Sequence, residues 1–146
     1  MSRQADAVEQ KKNKPICLIV EDDIFIRSLH RLWLKKILGD SHEVVCSLSV
    51  KTAEVRIRRS QKDRQISAII LDWHFKGEKG KDLINYCNDN GINIPIIIVT
   101  ADSTVNRQAS KFDAVVGFFN KPIKKKKWEL IKKLILKHQI IGVAVA

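Results

Sequence analysis

The chain has 146 residues and is 45% hydrophobic, so a single domain can bury an ordinary core without disulfide or metal staples. Its formal net charge of +11 favours an acidic protein, nucleic acid or an anionic surface as partner, although a basic, solvated face explains the same charge. No apolar stretch approaches the roughly 20 residues that span a bilayer, and the polar N-terminus lacks the apolar core of a signal peptide. We therefore expect a cytoplasmic protein.

The first half of the chain alternates strand and helix patterns. Residues 1–14 are predicted to form a flexible polar tail, and the apolar run 16–20 predicts the first strand. Residues 24–38 carry apolar side chains at helical spacing up to Gly39, which predicts a helix. The inner face of this helix is predicted to contain Ile26, Leu29, Leu32, Trp33 and Leu38. A β-branched strand at 42–50 and an arginine-rich helix at 52–60 follow.

The second half continues the same alternation. Strands are predicted at 66–71, 94–99 and 115–119, and helices at 81–88, 103–112 and 124–138. The inward residues of the last two well-patterned helices are Leu83, Ile84 and Cys87, and Trp128, Ile131, Leu134 and Ile135. Strand and helix alternate five times with short connections, which predicts an α/β fold with a five-stranded, doubly wound parallel sheet and five helices. The apolar segment 139–146 extends the last helix, covers an edge or meets another chain.

Polar residues follow four of the predicted strands. The first strand ends at Glu21-Asp22-Asp23, the third at Asp72, the fourth at Thr100 and the fifth near Lys121. In open parallel α/β sheets, ligands bind beyond the carboxyl ends of the strands. The sequence therefore predicts one site at this edge, with carboxylates, a hydroxyl and an ammonium.

These residue types suit phosphoryl transfer. Clustered carboxylates repel one another unless a cation such as Mg²⁺ is held between them. An aspartate so placed can attack phosphorus to give an aspartyl phosphate, and a metal, Lys121 and Thr100 can neutralise the phosphoryl oxygens. Taken singly, Asp72 could instead cap the following loop, and the acidic triplet could instead complement the dipole of the following helix. Their co-occurrence at four strand ends favours the site.

The motifs resemble those of a known family. They are Leu18-Ile19-Val20-Glu21-Asp22-Asp23, Leu71-Asp72-Trp73, Gly80, Val99-Thr100-Ala101 and Lys121-Pro122. In order and spacing this set resembles the receiver domain of two-component response regulators, of the single-domain chemotaxis-regulator type, over residues 15–138. The resemblance implies a flavodoxin-like sheet with strand order 2-1-3-4-5.

The resemblance also implies an acceptor and a metal site. Asp72 would accept a phosphoryl group from a histidine kinase or a histidine phosphotransfer protein in a phosphorelay. Asp22 and Asp72 would bind Mg²⁺ directly, together with the backbone carbonyl of His74, and Glu21 would act through a bound water. No other cofactor is implied.

The same resemblance implies which residues would respond to phosphorylation or control the lifetime of the phosphate. Thr100 and Lys121 would bind the phosphoryl oxygens, Thr100 would shift on phosphorylation, and Phe118 would move with it. His74 and Asp102 would flank the site and tune the lifetime of the phosphate. We expect these two side chains to interact across its mouth. Lys76 stands where the family usually has proline, so its loop is expected to be more mobile.

The resulting prediction is a stand-alone receiver that catalyses only its own phosphorylation and dephosphorylation and switches a protein contact. The contact surface would include the fifth strand and the last helix, where Lys124, Lys125, Lys126 and Lys127 favour an acidic partner.

Two alternatives remain at this stage. The first is a degenerate receiver that acts as a basic module and binds nucleic acid or an anionic surface. The sequence lacks the alternation of aromatic and basic residues that would favour nucleic-acid binding. The second is a phosphatase of the haloacid dehalogenase type, which needs Asp-x-Asp after the first strand; Glu21-Asp22-Asp23 does not fit that pattern.

Overall fold

The computed structural model describes residues 3–4, 14–63 and 65–145. Five strands and five helices alternate over residues 14–63 and 65–145. The strands are β1 (Ile16–Val20), β2 (Glu43–Ser47), β3 (Ile66–Leu71), β4 (Ile96–Thr100) and β5 (Val115–Asn120). The helices are α1 (Ile24–Leu38), α2 (Val50–Asp63), α3 (Gly80–Asp89), α4 (Asn106–Ala109) and α5 (Lys125–Val145), with 3-10 turns at Gly39–Ser41 and Ser103–Val105. No helix among these residues is long and apolar enough to cross a membrane.

All strand pairs are parallel, in the order β2-β1-β3-β4-β5. The predicted fold class and strand order are therefore confirmed. The register aligns the carboxyl ends of the central strands, because Val20 lies beside Leu71 and Thr100 lies beside Asn120. The residues that follow these positions consequently meet at one edge of the sheet.

Two apolar layers hold the sheet between the helices. Alternate residues of each strand point to opposite faces, so Leu18 packs under α2 and α3 while Ile19 packs under α1 and α5. The strands β3 and β4 are buried on both faces, which explains their nearly uninterrupted apolar sequences.

The predicted inner face of α1 is wrong in part. Leu38 is buried as expected, but Leu29 and Leu32 are 50% and 66% exposed, and the buried positions nearest the middle of the helix are His30 and Leu34. Because α1 packs against α5, its interface follows the row of residues four apart that contains His30, Leu34 and Leu38. Apolar residues surround most of this helix, so periodicity alone does not select that row.

Several element boundaries also differ from the prediction. The strand predicted at 42–50 is shorter, and α2 begins at Val50 because the chain bends at Leu48 and Ser49. The helix predicted at 103–112 is a 3-10 turn followed by the single turn of α4. The last helix continues beyond the predicted end, so the segment 139–145 is part of α5; the predicted tail at 1–14 lies mostly outside the described residues.

Candidate functional site

Three acidic side chains meet at the carboxyl edge of the sheet. Glu21 and Asp22 directly follow β1, and Asp72 directly follows β3. Carboxylate oxygens of these three residues lie within 4.8 Å of one another. Oxygen ligands at this separation suit a hard divalent cation such as Mg²⁺. The predicted acidic cluster is therefore assembled in the fold.

Asp23 has a different function from its two acidic neighbours. Its Oδ1 accepts hydrogen bonds from the backbone N–H groups of Phe25 and Ile26, at 2.9 and 3.0 Å. This arrangement is an N-cap, which satisfies two donors that the first turn of α1 leaves unpaired. The helix-terminus explanation thus applies to Asp23, while Glu21 and Asp22 belong to the cluster.

Lys121 is the cation of the site. Its Nζ lies 2.7 Å from Oε2 of Glu21 and 3.2 Å from Oδ2 of Asp72. The Lys121 backbone N–H donates to the carbonyl oxygen of Thr100 at 2.9 Å, and the following Lys121-Pro122 peptide bond is cis. Strand β5 therefore delivers the ammonium to carboxylates that come from two other strands.

Glu21 is the most buried carboxylate of the cluster, with 2% of its surface exposed. Burial raises its pKa from 4.5 to about 7, although the hydrogen bond from Lys121 acts in the opposite direction. Because the folded-state pKa is raised, this residue stabilises the fold most at low pH. That contribution declines as the pH rises from 4.5 to about 7.

Asp72 is held in one orientation by its own loop. Its Oδ1 accepts from the backbone N–H groups of Trp73 and His74, at 2.7 and 3.4 Å, while its Oδ2 faces Lys121. The loop closes tightly behind it, because the Gly80 N–H donates to the carbonyl oxygen of Trp73 at 2.7 Å. A Cβ on Gly80 would lie 2.3 Å from the Asp72 carbonyl oxygen, so only glycine fits there.

The remaining predicted residues lie around this cluster. Thr100 is buried at the end of β4, and its hydroxyl accepts from the backbone N–H of Asp102 at 3.2 Å. Phe118 lies beside Ile98 in the sheet and is partly buried against the α2–α3 layer. The backbone N–H of Lys76 donates to Oδ2 of Asp22 at 3.3 Å, so this loop contacts the acidic cluster through its main chain.

His74 and Asp102 meet at the mouth of the site. Nε2 of His74 lies 3.0 Å from Oδ2 of Asp102, and both side chains are substantially exposed. Hydrogen bonds from Thr104, and then from His74, lower the pKa of the Asp102 carboxyl. This pair bridges the loops that follow β3 and β4.

Two site contacts were missed by sequence reasoning. A guanidinium nitrogen of Arg27 donates to the carbonyl oxygen of Glu21 at 3.2 Å, which ties the first turn of α1 to the end of β1. The Glu78 carboxylate accepts from the first two N–H groups of α2, at Val50 and Lys51. The position of Arg27 one turn after the acidic triplet is a usable signal, but nothing local links Glu78 to Val50.

The model of the response regulator receiver domain family matches residues 17–134. The chain belongs to this family. Among solved structures, it is similar to a signal receiver domain from Vibrio parahaemolyticus, with 27% sequence identity and a TM-score of 0.73 over 90% of this chain and 97% of that chain. No curated protein matches it.

Two further structures are similar to this receiver. A response regulator receiver protein from Pseudomonas putida has 25% identity and a TM-score of 0.68, covering 85% of this chain and 97% of that one. A response regulator receiver domain from Clostridium thermocellum has 14% identity and a TM-score of 0.75, covering 90% and 99%; at that identity it supports the fold alone.

Proposed function

We propose that this receiver accepts a phosphoryl group on Asp72 from a histidine kinase or a histidine phosphotransfer protein. The observation that carries the proposal is the position of Lys121, whose Nζ lies within hydrogen-bonding distance of Oδ2 of Asp72 and of Glu21. An acceptor carboxylate beside a fixed cation matches what phosphoryl transfer requires, since charge on the transferred group must be neutralised.

The acidic cluster fits Mg²⁺. Three carboxylates lie within 4.8 Å of one another, and the described contacts of Lys121 neutralise only part of their charge. Asp22 and Asp72 would bind the ion directly with the backbone carbonyl of His74, and Glu21 would act through a water. Bound Mg²⁺ would supply charge neutralisation for the phosphoryl oxygens.

The attacking atom in this proposal is Oδ2 of Asp72. Oδ1 is held by two backbone N–H groups, which leaves Oδ2, on the Lys121 side, to form the new oxygen–phosphorus bond. The phosphorus–nitrogen bond of the donor phosphohistidine breaks as this bond forms, and the imidazole of the donor leaves. Lys121 would then turn toward a phosphoryl oxygen, and the Thr100 hydroxyl would bind another.

Phosphorylation would change the positions of two side chains. Thr100 would shift toward the phosphoryl group, and Phe118, partly buried on β5, would follow into the space that opens. The His74–Asp102 pair at the site mouth would limit the access of hydrolytic water and so set the lifetime of the phosphate. The receiver would catalyse only its own phosphorylation and dephosphorylation.

The output would be a contact with an acidic protein surface. Lys124, Lys125, Lys126 and Lys127 are all exposed at the start of α5, next to β5. Such a cluster accelerates encounters with an acidic partner and makes them dependent on salt. We further propose that the protein acts in the cytoplasm.

The proposal is tested by intact-protein mass after incubation with acetyl phosphate and Mg²⁺. We expect one phosphoryl adduct on the native chain and none on Asp72→Asn. The matched control is Asp23→Asn, which removes the same charge from a neighbouring loop but keeps a side-chain cap on α1. Absence of an adduct on the native chain would leave a degenerate receiver, and the basic-module alternative would replace this proposal.

A second measurement tests the lifetime residues. We expect His74→Ala and Asp102→Ala each to change the rate at which the adduct is lost, because each removes one partner of the 3.0 Å contact. Unchanged dephosphorylation in both variants would refute that role.

A further inference from the structure

A groove lies between α2 and the β2 side of the sheet, and its lining extends from the first turn of α2 to the first residues of β1 and β3. Its volume is about 550 Å³. The lining residues are Ile16, Leu18, Val45, Ile66, Val55, Thr52, Lys51, Arg56 and Arg59. The apolar strand residues and Val55 form the floor of the groove. Lys51, Arg56 and Arg59 of α2 form its basic rim. Ile16 and Ile66 are the first residues of β1 and β3, so this end of the groove lies away from Asp72.

The rim of the groove is strongly positive. Lys51, Arg56 and Arg59 are all exposed, and no acidic residue is among the described residues that line the groove. The acidic residue of α2 nearest to them in sequence, Glu54, interacts with Lys51 and Arg58 and is repelled by Glu78 and Asp82 on the α3 side. Glu54 therefore offsets Lys51 in part, whereas Arg56 and Arg59 are not among the cations that act on it.

Cations of α1 lie near the opposite face of β2. Burial raises the pKa of the half-buried Cys46 thiol, and the charges of Arg31, Arg27, Arg56 and Lys35 act on it in the other direction. These cations from α1 and α2 thus surround the same strand from both sides.

β2 is also the terminal strand of the described sheet. It pairs with β1 on one side, and no other described strand pairs with it. Terminal strands expose backbone donors and acceptors that can bind an additional extended segment. At this edge, an apolar floor and basic groups stand beside such a strand.

We propose that this groove and the adjoining edge of β2 bind an extended, acidic segment of a partner protein, with apolar side chains on the floor and carboxylates at the basic rim. Single-stranded nucleic acid fits less well, because it needs aromatic stacking groups and the described lining contains none. A concave groove also does not complement a flat anionic membrane.

The test uses fluorescence anisotropy of a labelled short peptide of alternating glutamate and leucine, with the full-length protein. We expect saturable binding that Arg56→Gln/Arg59→Gln weakens by about tenfold. The control Arg107→Gln/Lys111→Gln removes the same charge at the opposite edge of the sheet and should leave the affinity nearly unchanged. Both control positions are exposed.

A third variant separates groove binding from general attraction. Val55→Phe fills the groove without changing charge, so it should also weaken the peptide. Equal effects of the two double variants, or no effect of Val55→Phe in a folded protein, would overturn the proposal. So would tighter binding of a short single-stranded oligonucleotide than of the peptide, or no peptide binding at all. The test does not require phosphorylation of Asp72, so its result is independent of the proposed function.

Discussion

The acidic cluster and the layer between α1 and α5 each bury a titratable side chain, but only the side chain in the acidic cluster has a charged partner. Glu21 in the pocket is 2% exposed and has Lys121 as its partner at 2.7 Å. His30 in the layer is 4% exposed and packs edge-on against Trp128, with ring centroids 5.4 Å apart. Burial lowers the pKa of His30 to about 4, so this residue is neutral. The pocket therefore pairs its buried carboxyl group with a cation, whereas the helix layer keeps its buried imidazole uncharged.

The largest expected effect on ligand binding tests whether the pocket charges form a metal site. Asp22→Asn should weaken Mg²⁺ binding roughly 10- to 100-fold, because it removes one charged ligand from the cluster. Asp23→Asn should leave Mg²⁺ affinity nearly unchanged, since this side chain caps α1. Titration calorimetry of both variants measures the difference. If the two neighbouring substitutions weaken Mg²⁺ equally, only general negative charge attracts the ion.

The next prediction concerns the close packing behind Asp72. Gly80→Ala should lower the free energy of unfolding by about 3 kcal/mol, because its Cβ would meet the Asp72 carbonyl oxygen, a backbone atom that must then move. Gly91→Ala is the control: its Cβ meets nothing within 4 Å, and its positive φ alone costs about 1 kcal/mol. Urea unfolding gives both values. Equal losses would contradict a tight turn specific to the acceptor loop.

Most of the fold was predictable because its strands are nearly pure apolar runs. The runs that form β1, β3 and β4 end at polar residues, so periodicity and composition identify both the strands and the edge where their ends meet. The face of α1 was not predictable in the same way. From sequence alone, His30 is expected to be exposed because it is polar, and Leu29 and Leu32 are expected to be buried because they are apolar. The contact with α5 decides which side of the helix is buried, and the sequence of α1 does not contain that information.

The site was predictable as a set of residues but not as a set of pairs. Sequence placed Glu21, Asp72 and Lys121 at strand ends, and the sheet brings them together. It could not show that Lys121 lies closer to Glu21 than to the acceptor Asp72, because 100 positions separate Lys121 from Glu21 and the distance depends on the sheet register. The contact of Glu78 with the start of α2 has the same cause: it is a loop contact without a local pattern.

A smaller effect tests whether the helix layer excludes charge. The folded-state pKa of His30 is lowered from 6.5 to about 4, so between these values the unfolded chain binds more protons and native stability is lost as the pH falls. From pH 7 to pH 5 this residue should account for a loss of about 2 kcal/mol, which His30→Leu should remove. Urea unfolding at both pH values measures it. Glu21 is present in both proteins, so its own pH dependence cancels in the comparison. A pH dependence identical to that of the native chain would show that His30 is protonated or solvated in the fold.

The smallest effect concerns the connection from the acceptor loop to α2. The Glu78 carboxylate accepts from the N–H groups of Val50 and Lys51, at 3.0 and 3.3 Å, so Glu78→Ala should cost about 1 kcal/mol as a lost helix cap. Glu78→Gln should cost less, because its single amide oxygen can still accept one of the two hydrogen bonds and its neutral group no longer repels Glu54. Glu129→Ala, on the exposed face of α5, is the control. Equal losses of unfolding free energy in Glu78→Ala and Glu78→Gln would contradict a hydrogen-bonded cap. The negative charge of Glu78 at the positive end of α2 would then hold the loop against the helix.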